Sequence, residues 1–149
     1  MTRINCIPSH LLLDEHLSAA VREGARPINE VRSGKNNVKG APTYWKLGKG
    51  HVLFCKKHLT WTHQQYVTAK EEYYKRGFKG FDYEVDLDGI PKSYLNTYSP
   101  TKAELRTNLA RICERWRKRK KPYHLNGNVV DTNKDFLYYL KQVKQAMEI

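Results

Sequence analysis

The chain has 149 residues, with 27 Lys plus Arg against 15 Asp plus Glu and a formal net charge of +12. That length suits one compact domain rather than two, and 40% hydrophobic residues, ten Tyr and three Trp among them, are enough for a core, which excludes wholesale disorder. No apolar run approaches the roughly 20 residues of a membrane span, and residues 1–20 contain no hydrophobic signal region.

The three cysteines, Cys6, Cys55 and Cys113, are odd in number and far apart, fitting neither a disulfide framework nor a clustered metal site. A reducing cytoplasm is therefore the expected location. The positive balance concentrates polyanions, placing nucleic acid first among expected partners, ahead of anionic lipid surfaces and acidic proteins.

In chain order, Ser9 after Pro8 predicts the start of a first helix, with Leu13, Leu17, Ala20 and Val21 near helical spacing until Gly24 and Pro27. Residues 33–42 are aperiodic and rich in Gly and Asn, which predicts a loop. Residues 43–55 are ambiguous between strand and helix, and helix is the reading taken. Leu59, Tyr66, Ala69 and Tyr73 share one stripe of a second helix over residues 57–76, with Gly77 placed as its cap. The acidic alternation Asp82, Glu84, Asp86, Asp88 is cut by Gly89 and Pro91 and reads as a loop.

A third helix opens at Ser99–Pro100, or at a capping box of Thr101 with Glu104. Its Leu105, Leu109, Ile112 and Trp116 share one face, while Arg111, Arg115 and Lys118 lie roughly opposite. After Gly127, Thr132 and Asp135 cap a last amphipathic segment whose Phe136, Leu140, Val143 and Met147 recur at helical spacing.

Residues 102–121 hold nine basic and two acidic side chains, most of the chain's excess charge. Arg106, Arg111, Arg115, Arg117 and Arg119 offer planar forks suited to phosphate, predicting salt-sensitive binding with little base readout. A solvated helix end is the bland alternative, and a basic amphipathic helix with Trp116 and Leu109 on its apolar face also suits an acidic partner or an anionic membrane surface.

At the other end, Met1-Thr2 is a context in which the initiator methionine is removed, leaving a free Thr2 α-amine. With a pKa of about 7.7–8.0, roughly a third of such an amine is neutral near pH 7.5, ready to attack a carbonyl. Arg3, Arg22 or Arg26 nearby would depress that pKa, and Glu23 would serve as acid and base. Small second residues and helix-end glutamates are commonplace, so the residues alone stop at a basic helical domain.

The combination goes further. Met1-Thr2-Arg3-Ile4-Asn5, then Asp14-x-His16-Leu17, then Arg22-Glu23-x-x-Arg26 fall at the spacing of a known family. Pro42-Thr43-Tyr44, Leu47-Gly48-x-Gly50-His51-Val52, Lys75-Arg76-Gly77-Phe78, Ile90-Pro91 and Tyr98-x-Pro100 are further landmarks. On these residues the chain resembles the pyrimidine-dimer DNA glycosylases of the phage endonuclease V type, bifunctional glycosylases and abasic-site lyases, over about residues 1–127.

The resemblance implies an all-α single compact domain of three main helices with the amino-terminal segment between the first and third. Residues 128–149 would form an amphipathic helical extension packed on it. It also implies Thr2 and Glu23 as catalytic residues, and Arg3, His16, Arg22, Arg26, Arg111 and Arg115 as DNA contacts, Arg115 standing where a lysine is usual. Lys121 is the implied phosphate contact in the carboxyl segment and Tyr123 its stacking residue.

The implied reaction is attack of the Thr2 amine on C1′ of a damaged nucleotide, base release, and strand cleavage by β-elimination, with base extrusion from a kinked duplex. The implied partner is double-stranded DNA bearing a damaged or modified base, bound by a monomer; no metal, organic cofactor or membrane is called for, and the alternatives are a lyase of the same scaffold for another damaged or modified base or a DNA-binding protein without catalysis. Glu15 in place of glutamine and Val21 in place of an aromatic alter the expected base pocket. His51, His58 and His63 lack companions at ligand spacing and read as structural or surface residues rather than zinc ligands.

Overall fold

A computed structural model describes residues 3–149 of the chain. It is mostly helical, with one small two-stranded sheet. The elements are α1 (Asp14–Gly24), α2 (Arg26–Arg32), α3 (His51–Lys57), α4 (Leu59–Lys75), α5 (Lys102–Arg117), β1 (Tyr123–Leu125), β2 (Asn128–Val130) and α6 (Asn133–Met147). Among the described residues, no helix is long and apolar enough to cross a membrane.

The first helix starts later than Ser9 predicts. Ser9–Leu11 form a single 3-10 turn, and Leu12 and Leu13 are extended and buried before α1 begins at Asp14. The break at Gly24 and Pro27 is a joint between two helices, since Pro27 occupies the first turn of α2, where its missing N–H costs nothing. Gly24 lets α1 approach α4 closely, because a Cβ there would sit 3.3 Å from Cβ of Tyr66.

The ambiguous segment turns helical only at His51. Residue 50 has φ +91°, and a Cβ on it would come within 2.9 Å of Pro42 Cγ, so a glycine is required at the start of α3. At the far end of α4 the amides of Gly77 and Phe78 close on Tyr74 O and Tyr73 O, the expected left-handed glycine stop. α5 opens on the Thr101–Glu104 capping box, with both reciprocal bonds formed. α6 opens on Thr132, whose hydroxyl accepts from Asp135 N at 3.1 Å.

The all-α expectation needs one correction. β1 and β2 pair antiparallel around Asn126-Gly127, both at positive φ, a two-residue turn of the kind that Asn-Gly favours. The 127/128 division drawn from sequence falls inside this turn. Downstream of it, α6 is continuous with the main core: Phe136, Tyr139, Val143 and Met147 join Leu13, Leu17 and Val21 of the amino-terminal half, Tyr73 of α4, and Leu109, Ile112 and Trp116 of α5. The Trp116 and Phe136 rings stack at 4.3 Å, and the Tyr139 hydroxyl donates to Leu11 O at 2.7 Å. Full burial of such side chains contributes about 1.5–3 kcal/mol each, so α6 is an integral part of the core.

Candidate functional site: a cationic cavity beside the amino-terminal segment

Residues 3–7 form no helix or strand, and among the described residues their backbone groups are bonded by side chains from four helices and a loop. The Arg3 amide donates to Glu23 Oε2 of α1 at 3.3 Å, and the Ile4 amide to His51 Nε2 of α3 at 2.8 Å. Asn108 Oδ1 of α5 accepts from both Cys6 N (2.8 Å) and Ile7 N (3.1 Å), while its Nδ2 donates to Asn5 Oδ1 at 2.8 Å. Gln65 of α4 donates to Asn5 O at 2.9 Å, and the Trp45 indole donates to Ile4 O at 3.1 Å. Each bond is individually modest, about 0.5–1.5 kcal/mol net, but together they fix the register of this segment.

Beside it lies a cavity of about 180 Å³ whose charged and titratable lining is Arg3, His16, Arg22, Glu23, Arg111 and Arg115, with Asn5 and Asn108 also on its wall. α1 supplies His16 and Glu23 two turns apart on one stripe, and α5 supplies Arg111 and Arg115 one turn apart. Four guanidinium groups thus face one carboxylate. Burial, with repulsion from Arg115 and Arg111, lowers the Arg3 guanidinium to about 10, so it stays charged at neutral pH. Among the described residues Arg22 and Arg115 pair with no carboxylate, whereas Arg111 Nε lies 3.5 Å from Glu114 at the helix surface.

His16 is the most unusual member. Among the described residues neither of its ring nitrogens meets a hydrogen-bond partner, although both are buried. Burial, then repulsion from Arg115 and Arg3, pushes its pKa down from 6.5 to about 4, so the ring is neutral in the free protein. A buried polar group left unpaired costs on the order of 1–3 kcal/mol, and an incoming anion would supply the missing partner.

The other expected contacts lie outside the cavity. Arg26, exposed at the start of α2, pairs with Glu30 at 3.5 Å. Lys121 is exposed, and Tyr123 on β1 sets its ring edge-on to His16 at 5.0 Å. Thr2 lies outside the described residues.

Asn108 brackets the site without having been singled out in the sequence, and Asp14, Glu15 and His51 make contacts there that their sequence context does not show. Asp14 accepts from the Asn126 and Gly127 amides at 3.0 and 2.8 Å and pairs with Arg76 at 2.8 Å. Glu15 accepts from the His124 amide and lies 3.2 Å from its Nδ1. The Glu15 carboxylate expected to alter the base pocket is therefore turned to the hairpin, where it holds the residue next to Tyr123.

A larger hollow of about 410 Å³ beside Trp61 is lined by Glu71 and Glu72 against Lys75 alone, a poor phosphate site. The smaller cavity, with its convergent cations and unpaired histidine, is the candidate site. No protein-family model matches this sequence.

Proposed function

We propose that the protein is a DNA glycosylase and abasic-site lyase acting on double-stranded DNA with a damaged base, ultraviolet pyrimidine dimers first among them, as a cytoplasmic monomer without a cofactor. The observation that carries this reading is the convergence of Arg3, His16, Arg22, Glu23, Arg111 and Arg115 on one cavity beside the amino-terminal segment. These residues come from three separate stretches of the chain, the amino-terminal segment, α1 and α5, and six of the ten site residues expected from the resemblance meet there. In this reading α1, α4 and α5 correspond to the three main helices; the amino-terminal segment bonds to Glu23 of α1 and Asn108 of α5, which supports that assignment.

The neutral Thr2 amine attacks C1′ of the damaged nucleotide, the glycosidic bond breaks, and the base leaves with its electron pair. The new C1′–N bond becomes an iminium as the sugar ring opens. Removal of a C2′ proton then expels the 3′-phosphate by β-elimination, and water releases the amine. Glu23, bonded to the Arg3 amide, faces the positive charge that develops on the sugar and moves protons in the elimination. Arg3, Arg22, Arg111 and Arg115 neutralise phosphates flanking the sugar, and Arg26, Lys121 and Tyr123 extend that contact beyond the cavity. A volume of about 180 Å³ is below the roughly 300 Å³ floor of small-molecule pockets, suiting a sugar rather than two extruded bases. That favours reaction at C1′ with the lesion's bases outside.

A lyase for another damaged or modified base is the second reading: where the resemblance places a glutamine and an aromatic, Glu15 is turned to the hairpin and Val21 is buried in the core, so neither supplies the expected base pocket. Borohydride trapping on an abasic duplex tests the chemistry. A covalent protein–DNA adduct that disappears when the α-amine is blocked is the expected result, and no adduct at any pH refutes the proposal. Cleavage of dimer, modified-cytosine and abasic duplexes at one ionic strength then separates the two substrate readings.

A further inference from the structure

His51 opens α3 and is almost wholly buried, at 2% exposure. Its Nδ1 lies 2.7 Å from Lys46 O, a carbonyl that only accepts, so Nδ1 carries the ring proton. Its Nε2 lies 2.8 Å from the Ile4 amide, which only donates, so Nε2 presents a lone pair. The two contacts together admit one form of the ring, the neutral Nδ1–H tautomer. The same Ile4 residue is held on its carbonyl side by the Trp45 indole, whose ring stands edge-on to His51 at 5.9 Å. Loop residues 45–46 and the first residue of α3 thus form a socket for residue 4, two positions from the proposed nucleophile.

We propose that His51 is a positioning residue for the amino-terminal nucleophile: as the Nδ1–H tautomer it fixes the Ile4 amide, and a proton on Nε2 frees the segment and disables the lyase in acid. This rests on the function proposed above. A protonated Nε2 would set one N–H against another, and no acceptor replaces it at Ile4. The charged or titratable groups facing the ring, among the described residues, are the Arg3 guanidinium of the amino-terminal segment and the Cys55 thiol of α3, 3.8 Å from Nε2. The loop meets it through the Lys46 carbonyl and the Trp45 ring. Burial and Arg3 hold the imidazole below its ordinary 6.5, against the opposing pull of the Lys46 carbonyl, so the neutral form prevails at physiological pH.

Two variants of the full chain separate anchoring from bulk. In His51→Gln the amide oxygen reaches close to the Nε2 position and accepts from Ile4 without titrating; in His51→Asn the side chain reaches only as far as Nδ1. At pH 7.5, His51→Gln is expected to trap an abasic duplex within about threefold of the wild-type single-turnover rate, and His51→Asn at least about tenfold slower. Between pH 7 and 5, protonation of the amine alone lowers the rate about tenfold per pH unit. The wild type is expected to steepen beyond this where His51 takes its proton, and His51→Gln is not.

Nitrogen shifts of the ring are expected to show a pyrrole-like Nδ1 and a pyridine-like Nε2, and Ile4 amide exchange is expected to accelerate in His51→Asn. An Nε2–H tautomer, Ile4 protection unchanged in a folded His51→Asn, or that variant trapping at the wild-type rate would overturn the anchor. Absence of trapping by the wild type at every pH refutes the lyase reading and the catalytic half of this inference with it, while Ile4 exchange still decides the anchor.

Discussion

Replacing His16 with phenylalanine separates the cost of burying an unpaired imidazole from the rest of the protein's acid sensitivity. The unfolded chain takes up a proton at His16 near 6.5, whereas the native ring resists until about 4. Between those values the unfolded state binds more protons, so falling pH destabilises the native state; the contribution is fully present above 6.5 and is lost toward 4. At about 1.36 kcal/mol per pH unit of separation, the wild type loses about 2.5 kcal/mol at this position between pH 7.5 and pH 4.5. A phenyl ring at this position has nothing to protonate, so the stability difference between the two proteins shifts by that amount in the variant's favour.

Urea unfolding followed by circular dichroism at pH 7.5, 6.0, 5.0 and 4.5 reads this directly. The carboxylates and His51 titrate in both proteins and cancel in the difference. A difference that stays constant across the series would mean that His16 is already protonated or well solvated in the native state, and the reasoning from its burial would be wrong.

Further expectations come from neighbouring residues. Glu23→Gln is expected to leave duplex affinity within a fewfold of wild type while suppressing strand cleavage at least a hundredfold, measured by single-turnover kinetics beside a binding titration; lost affinity with retained cleavage would reverse the assigned role. Arg111→Ala is expected to weaken binding and to reduce the slope of log K against log salt by about one, the signature of one phosphate contact. Asn108→Leu leaves the buried Cys6 and Ile7 amides without an acceptor, a loss of about 2–4 kcal/mol in denaturant midpoint and slope. Gly50→Ala combines a left-handed backbone with the approach to Pro42 and is expected to cost about 1–3 kcal/mol by thermal unfolding, more than Gly40→Ala, which meets nothing within 4 Å.

Much of the fold was legible because the relevant signals are local. The stripe Leu59, Tyr66, Ala69, Tyr73 and the stop at Gly77 specify α4, and the Thr101–Glu104 and Thr132–Asp135 pairs specify the starts of α5 and α6. The hairpin also carried a local signal, Asn126-Gly127, but each flanking strand has only three residues, too few to display alternation. The start of α1 was misjudged because Ser9 is a good capping residue that the chain spends on a single 3-10 turn.

The site was legible only in part. Arg3, His16, Arg22 and Glu23 were marked by the family resemblance, and Arg111 and Arg115 by that resemblance together with the charge of α5. Asn108 and His51 act through backbone amides at residues 4–7, and a bond between positions 47 to 102 apart leaves no trace in periodicity or composition. Glu15 reads from sequence as an alteration of the base pocket because its partner, the His124 amide, is 109 residues away.

The proposed chemistry depends most on which nitrogen forms the bond to the sugar. The borohydride-reduced adduct with an abasic duplex, digested with protease and sequenced by mass spectrometry, identifies that nitrogen. The deoxyribose remnant is expected on the α-amine of Thr2 in a chain that has lost Met1. A remnant on the side chain of a lysine, or on the α-amine of a retained Met1 in active protein, would contradict this mechanism.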